Sequence, residues 1–308
     1  MLRTRFAPSP TGLLHVGNAY SALQCQAWAE QQHADLILRI EDIDHTRCRA
    51  EFATAMLDDL RWLGFDWQGE ICYQSRRLQL YRNAIGRLRE MGVIYPCFCT
   101  RKQIAAEVAR MASAPHAEDA VAAYPGLCRR LTAAEQQQRM QQQPFAWRLD
   151  AAKAMQAAGE GLIWREASGE MHPVMVDDDL VIGRKDIGVS YHLAVVVDDA
   201  AQAITHIIRG ADLAASTAVQ RLLQQLLGLP EPIYIHHPLL LDGGGERLAK
   251  RNHATTLSSL RRMGVQASAL RAFLRTDSPP CWPFEGAAAD ASEAAILRML
   301  GASGDDLP

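Results

Sequence analysis

The sequence predicts an α/β chain: a parallel sheet covered by helices and interrupted by an insertion. Three observations carry this. A strand, a Pro/Gly-rich turn and a helix open the chain and lead into a second strand. Sheet-like apolar runs return near residue 190. Between them, residues 100 to about 185 shift in composition to Ala, Gln and Glu with several breaks.

The opening stretch is Arg5-Phe6-Ala7-Pro8-Ser9-Pro10-Thr11-Gly12-Leu13-Leu14-His15-Val16-Gly17-Asn18. Pro8, Pro10 and Gly12 exclude regular structure between Arg5 and Leu13. From Gly17 onward, Ala19, Ala22, Leu23 and Ala27 recur at helical spacing. A helix N-terminus offers free N–H groups and partial positive charge, so it suits phosphate. Gly17 leaves room for a flat ring against the backbone, and His15 can reach a phosphate oxygen. Leu36 to Ile40 is a short apolar strand, which completes a βαβ unit. It runs into Glu41-Asp42-Ile43-Asp44-His45-Thr46-Arg47. Acids at the carboxyl end of a parallel strand face the crevice where such folds bind ligands; they also suit a turn that caps the next helix. Phe52, Met56, Leu60 and Leu63 form one helical stripe, and Leu78, Tyr81, Ile85 and Leu88 another; both are core.

Val93 to Cys99 reads as a strand leaving this first half. Ala112 to Ala123 and Gln136 to Gln143 are polar or small-residue segments expected to be mobile. Leu193 to Asp199 and Ile204 to Arg209 are the returning strands. Leu213 to Leu227 is a helix stopped by Gly228 and Pro230. Ile233 to Leu241 is a further strand, Gly243 to Gly245 a hinge, and Thr255 to Met263 helical. Beyond Thr276 a Pro-, Ala- and Ser-rich tail is expected to be only partly ordered. The resulting division is 1–96 and 186–254 for two halves of one sheet domain, 97–185 for the insertion, and 255–308 for a helical region and tail.

A chain of 308 residues can bury a sizeable core in two or three lobes. Its net charge of −3 does not announce nucleic acid binding, although a local basic face is sufficient for it. Arg129, Arg130, Arg139 and Arg148 lie in or near the insertion, and suit phosphates or a solvated face equally. Arg3 and Arg5 lead into prolines rather than an apolar run, so no signal peptide is expected, and no run is long enough to span a bilayer. Seven cysteines without a regular framework fit reduced thiols in the cytoplasm. Of these, Cys97, Cys99 and Cys128, with Tyr124, make a candidate tetrahedral zinc site. His116 is the conventional alternative ligand, and three unconnected thiols is the simpler reading. Cys25, Cys48, Cys72 and Cys281 read as small hydrophobes or inert thiols.

The stretch from Arg5 to Asn18 resembles the first signature of class I aminoacyl-tRNA synthetases, in the form used by the glutamate branch. His15-Val16-Gly17-Asn18 stands for the usual His-Ile-Gly-His. Arg247-Leu248-Ala249-Lys250-Arg251 resembles the family's Lys-Met-Ser-Lys-Ser loop, with Lys250 kept unchanged. The resemblance covers roughly residues 3 to 275. It implies a Rossmann-like catalytic domain split by a zinc-bearing insertion, with a short helical C-terminal region. It also implies binding of ATP, with Mg2+, by His15, Gly17, Asn18 and Lys250, of which His15 and Lys250 are catalytic. Arg5, Ser9, Glu41, Tyr191 and Arg209 match the glutamate-binding positions one by one. Glu41 would take the α-amino group, Arg5 and Arg209 the carboxylates, Tyr191 and Ser9 further hydrogen bonds. Val195 stands where glutamyl-tRNA synthetases usually carry Asn. The resemblance further favours Tyr124 as the fourth zinc ligand.

Only residues 252–308 follow the lysine loop, so no anticodon-binding domain is expected. That matches a short paralogue in the family and implies glutamate transfer to queuosine in the anticodon of tRNA(Asp), by a cytoplasmic monomer without a membrane partner. Two other readings stay open: a truncated enzyme that charges a tRNA 3′ end, and a non-catalytic tRNA-binding module.

Overall fold

The computed structural model describes residues 1–112, 124–242, 255–275, 281–282, 296 and 300. The chain begins with β1 (Arg3–Phe6), α1 (Val16–Gln32), β2 (Asp35–Ile40), α2 (Ala50–Trp62), β3 (Cys72–Tyr73), α3 (Leu78–Glu90), β4 (Ile94–Cys97) and α4 (Arg101–Ala112). There follow α5 (Ala133–Gln142), β5 (Ala146–Leu149), α6 (Ala151–Ala158), β6 (Ile163–Arg165), β7 (Met171–Pro173), β8 (Val181–Gly183) and α7 (Tyr191–Ala201). The last are β9 (His206–Gly210), α8 (Thr217–Leu227), β10 (Ile233–His237), β11 (Leu241–Asp242), α9 (Leu257–Arg262), α10 (Ala267–Leu274) and β12 (Cys281–Trp282). They fall into two compact units. One comprises Met1–Arg76, Ile204–Ala215 and the described residues from Pro232 onward; the other comprises Arg77–Ala203 and Ser216–Glu231.

The first unit is built on parallel strands. β1 pairs with β2, Arg3 opposite Asp35 and Phe6 opposite Leu38, and β2 pairs with β3. β9 pairs in parallel with β10. Thr205, just before β9, donates its N–H to the Arg3 carbonyl at 3.0 Å. The Cys25 thiol reaches the carbonyls of both Arg5 and Ile208, at 3.7 and 3.6 Å. β1 and β9 therefore run side by side, and the strand sequence turns outward in both directions from that point. This is the switch point beyond whose carboxyl ends doubly wound sheets hold ligands. The apolar periodicity explains the packing: Leu23, Leu38, Met56, Leu60 and Leu270 are at most 1% exposed. Each buried side chain of this size contributes about 1.5–3 kcal/mol.

The second unit is mixed. β5 is the centre of an antiparallel sheet, flanked by β4 and β8, and β6 and β7 form a hairpin. Its helices are joined by buried charge. Asp198 on α7 is fully buried and accepts from Arg77 Nε at 2.6 Å and from the Tyr81 hydroxyl at 2.7 Å. Arg87 on α3 donates to the Leu227 carbonyl, which closes the last turn of α8.

Several expectations change here. Leu193 to Asp199, read as a strand, is the body of α7. Ser190 caps it by accepting from the Leu193 N–H, and Leu193, Ala194, Val195 and Val196 are all buried. A short helix buried on several sides shows no amphipathic period, so its apolar run imitates a strand. Of Val93 to Cys99 only Ile94–Cys97 forms a strand, β4, and it belongs to the antiparallel sheet. Gln136 to Gln143 lies almost wholly in α5, an exposed helix whose Thr132 and Glu135 form a reciprocal capping box. Ile233 to Leu241 is broken into β10 and β11 around Pro238. Residues 113–123, the Gly243 to Gly245 hinge and most of the tail lie outside the described residues, although Trp282, Ile296 and Leu300 are buried.

Candidate active site and cysteine centre

His15 is the N-cap of α1. Its Nδ1 accepts from the Gly17 N–H at 3.1 Å, and Asn18 Oδ1 accepts from the His15 N–H at 3.1 Å. An Nδ1 that accepts carries no proton, so in the neutral ring the proton sits on Nε2 as a donor. Asn18 is thus used as a cap, a task an Asn side chain at this position performs through its carbonyl oxygen. The turn before the helix is pinned at three points. Ser9 C=O accepts from Thr11, Pro8 C=O from Glu41 and Pro10 C=O from Arg49, at 2.8, 3.0 and 3.1 Å. A Pro-rich segment has few donors of its own, so two of these carbonyls are satisfied by the chain between β2 and α2.

Arg5 on β1, Glu41 just after β2 and Arg209 on β9 occupy neighbouring strands and are 5%, 7% and 5% exposed. Ser9 is exposed on the turn above them. Arg39, on β2, is fully buried and its Nη2 lies 3.3 Å from Glu41 Oε1. Arg209 donates Nε to His236 Nε2 at 3.1 Å, and its guanidinium lies 5.2 Å from the centre of the Tyr234 ring. Arg39, His236 and Tyr234 were missed by the sequence reading. A lone Arg among Leu and Ile in a strand was the available signal for Arg39. Nothing in the sequence pointed to the strand register that sets His236 opposite Arg209. Tyr191, the fifth predicted glutamate residue, opens α7 and belongs to the second unit. The four others share the first. Asp44 closes its own turn on Thr46 and Arg47, while α2 begins without a side-chain cap. The acidic loop therefore does not serve as the helix cap that was the alternative reading.

The segment that follows the lysine loop is docked on the His15 turn. Val16 N–H donates to Thr255 C=O, Leu257 N–H donates to Leu14 C=O, and Thr256 forms an antiparallel bridge with His15. Arg247 to Arg251, including Lys250, lies outside the described residues.

The second centre is in the second unit. The Sγ atoms of Cys97, Cys99 and Cys128 all lie within 4.8 Å of one another, with Cys99 and Cys128 at 3.4 Å. Tyr124 Oη stands 3.4 Å from Cys97 Sγ and 3.5 Å from Cys99 Sγ, and accepts from the Cys128 N–H. A tetrahedral zinc with bonds of about 2.3 Å sets sulfurs roughly 3.8 Å apart, so this cluster has the size of a closed structural site. The hydrogen bond from Cys128 is the largest effect drawing the Cys97 thiol down, and the same bond drives Cys128 up. Burial pushes the Tyr124 phenol up. His116 lies outside the described residues. Elsewhere, burial pushes the Cys25 thiol up to about 12, which makes it inert, and Cys48 is pushed up by the same cause. The side chain of Cys281 is outside the described residues. Of the four arginines of the insertion, Arg129 pairs with Asp179, Arg139 stands over the Phe98 ring and Arg148 joins the cysteine cluster.

A capped helix N-terminus over a parallel-sheet switch point, ringed by buried Arg and Glu, is the frame of an α/β nucleotide-dependent enzyme. Comparison narrows this. Residues 1–279 match the family described as tRNA synthetases class I (E and Q), catalytic domain. The chain belongs to that family. It is 42% identical over 272 residues to the glutamyl-Q tRNA(Asp) synthetase of Rhodobacter capsulatus, covering 87% of this chain and 98% of that one. It is 44% identical over 275 residues to the enzyme of the same name from Symbiobacterium thermophilum, covering 86% and 83%. The fold is similar to the crystal structure of a glutamate tRNA ligase from Elizabethkingia meningosepticum in complex with its amino acid, with a TM-score of 0.68 and 26% identity. That match covers 81% of this chain but 52% of the ligase, so this chain spans about half its length. Among the described residues no helix is long and apolar enough to cross a membrane.

Proposed function

We propose that this chain activates glutamate with ATP and transfers the glutamyl group to queuosine in the anticodon of tRNA(Asp). The observation that carries the activation step is the buried trio Arg5, Glu41 and Arg209 at the switch point. Glutamate carries two carboxylates and one ammonium, and two guanidinium groups with one carboxylate complement it in number and sign. Ser9 and Tyr191 add hydrogen bonds. His15, Gly17 and Asn18 receive ATP at the start of α1, with Mg2+, and Lys250 meets the leaving pyrophosphate. The glutamate carboxylate attacks the α-phosphate of ATP; the α-phosphate–pyrophosphate bond breaks, and glutamyl-adenylate and pyrophosphate form. A hydroxyl of the queuosine cyclopentenediol then attacks the activated carbonyl and AMP leaves. No protein nucleophile is required, because positioning and charge stabilisation suffice.

The choice of acceptor rests on the names of relatives at 42% and 44% identity and on Val195, which buries an apolar side chain where glutamyl-tRNA synthetases usually have Asn. An unpaired loop base can be splayed out and presented to an active site, as a duplex base cannot. The test is direct. Labelled glutamate is expected on tRNA(Asp) bearing queuosine, and none on the same tRNA with guanosine. A substrate lacking its 3′-terminal adenosine should still be charged. Efficient charging of tRNA(Glu) at its 3′ end would sink the reading and restore a truncated glutamate–tRNA ligase.

Cys97, Cys99, Tyr124 and Cys128 are proposed to hold a structural zinc, which fixes the start of the insertion. Metal analysis should give about one zinc per chain, as a closed four-ligand site requires. Cys128→Ser should lose it and open residues 97–130 to proteolysis. Full zinc retention in Tyr124→Phe would remove the phenolate from the ligand set.

A further inference from the structure

We propose that Arg148 is the positioning residue that makes Tyr124 usable as a metal ligand, by clamping its ring against the cysteine cluster and placing a positive charge beside the centre. The inference rests on the zinc reading above and extends it to a residue outside the ligand set.

Three thiolates and a phenolate around a divalent ion leave the centre with excess negative charge. Cys97 and Cys128 are 2% and 4% exposed, and Cys99 and Tyr124 are half-buried, so water compensates only part of it. Buried charge without a partner is costly, and a nearby cation is needed. Arg148 supplies one in a specific geometry. Its Nε donates to Cys97 Sγ at 3.4 Å, its Cζ lies 3.8 Å from the centre of the Tyr124 ring, and its Nη1 donates to the Asp179 carbonyl. One guanidinium therefore touches two proposed ligands and is itself anchored. Only a planar cation can lie on a ring and donate in its own plane to a neighbouring sulfur.

The position of Arg148 is set by the sheet. It sits on β5, the central strand of its sheet, opposite Tyr95 on β4 and Val181 on β8. Tyr124 lies on no strand or helix and is held at its backbone by the Asp178 carboxylate, which accepts from the Tyr124 N–H at 2.9 Å. The guanidinium thus carries sheet order to a loop residue. The cation on the ring face, hydrogen-bonded at the same time to Cys97 Sγ, holds the Tyr124 ring against the sulfur cluster. This gives a reason for a Tyr at a position where Cys or His is usual. Lys185, whose Nζ donates to the carbonyls of Phe98 and Cys99, adds a second positive charge on the backbone beside the ligands.

The experiment measures zinc release from purified full-length protein into a chromogenic chelator, for wild type, Arg148→Met, Tyr124→Phe and the double variant. Loss of an outer-shell partner typically weakens metal binding about 10–100-fold. Arg148→Met and Tyr124→Phe should each speed release at least about tenfold, and the double variant should be no more than about twofold faster than the faster single one. Tyr124→Phe keeps the ring under the guanidinium, so the comparison isolates the phenolate oxygen. Arg148→Lys, which keeps the charge without the plane, should fall between wild type and Met; it replaces Met in the cycle if that variant fails to fold. Effects that multiply in the double variant would overturn the proposal, because Arg148 would then act through Cys97 and Asp179 alone. Unchanged release in Arg148→Met would also overturn it while leaving the zinc reading intact. Absence of zinc from the wild type would overturn both.

Discussion

Arg209→Ala is expected to raise the KM for glutamate by about two orders of magnitude or to abolish activation. Truncating one partner of a buried hydrogen-bonded charge pair costs about 2–5 kcal/mol, and each 1.4 kcal/mol is tenfold. Arg209 is buried at 5% exposure and oriented by His236 and the Tyr234 ring, so its fork is held in one place. Glu41→Gln should act on the ammonium end with a similar magnitude. It also withdraws the charge that faces fully buried Arg39, so some loss of stability is expected with it. Glutamate-dependent pyrophosphate exchange, run beside chemical denaturation, separates the two effects. If both variants activate glutamate with wild-type constants, the amino acid pocket lies elsewhere.

Lys250→Ala should depress adenylate formation about 10²–10³-fold and leave glutamate affinity nearly unchanged, because its ammonium is needed where charge develops in the transition state. Lys250 is the only lysine between Arg247 and Arg251. The chain a few residues downstream is tied to the proposed ATP site: Thr255 accepts from Val16, and Thr256 bridges His15. That docking gives the loop a fixed end beside the helix N-terminus. Thr256 also caps α9 by accepting from the Ser259 N–H, so one residue both ends the loop and starts the helix. A kcat loss with an unchanged glutamate KM is the expected signature. Wild-type exchange rates in the variant would remove Lys250 from the mechanism.

The opening of the chain was legible because its information is local. Prolines at 8 and 10, a glycine at 12 and the spacing of Ala19, Ala22 and Leu23 dictate turn and helix without reference to the rest of the chain, and β1, α1 and β2 follow. The cysteine cluster was legible for a similar reason, since thiols at 97 and 99 must be neighbours. That the thiol at 128 and the phenol at 124 close on them depends on a return of the chain that no spacing encodes.

The class of chemistry was legible only through the resemblance of Arg5 to Asn18 and of Arg247 to Arg251 to two family signatures, which implied roles for Arg5, Glu41 and Arg209. What the sequence could not decide was partnership across distance. It took Leu193 to Asp199 for a strand, because a helix wrapped by apolar neighbours loses the period that betrays it. Asp198 then gains its meaning only from Arg77 and Tyr81, which pair with it in the fold. In the same way His236 against Arg209, Thr256 against His15 and Arg148 against Tyr124 exist only once distant segments are packed together. The physical reason is common to all of them. Local sequence sets backbone preference and which faces are apolar, whereas a buried charge must be satisfied by whatever the packed sheet brings beside it, and that is a property of tertiary structure.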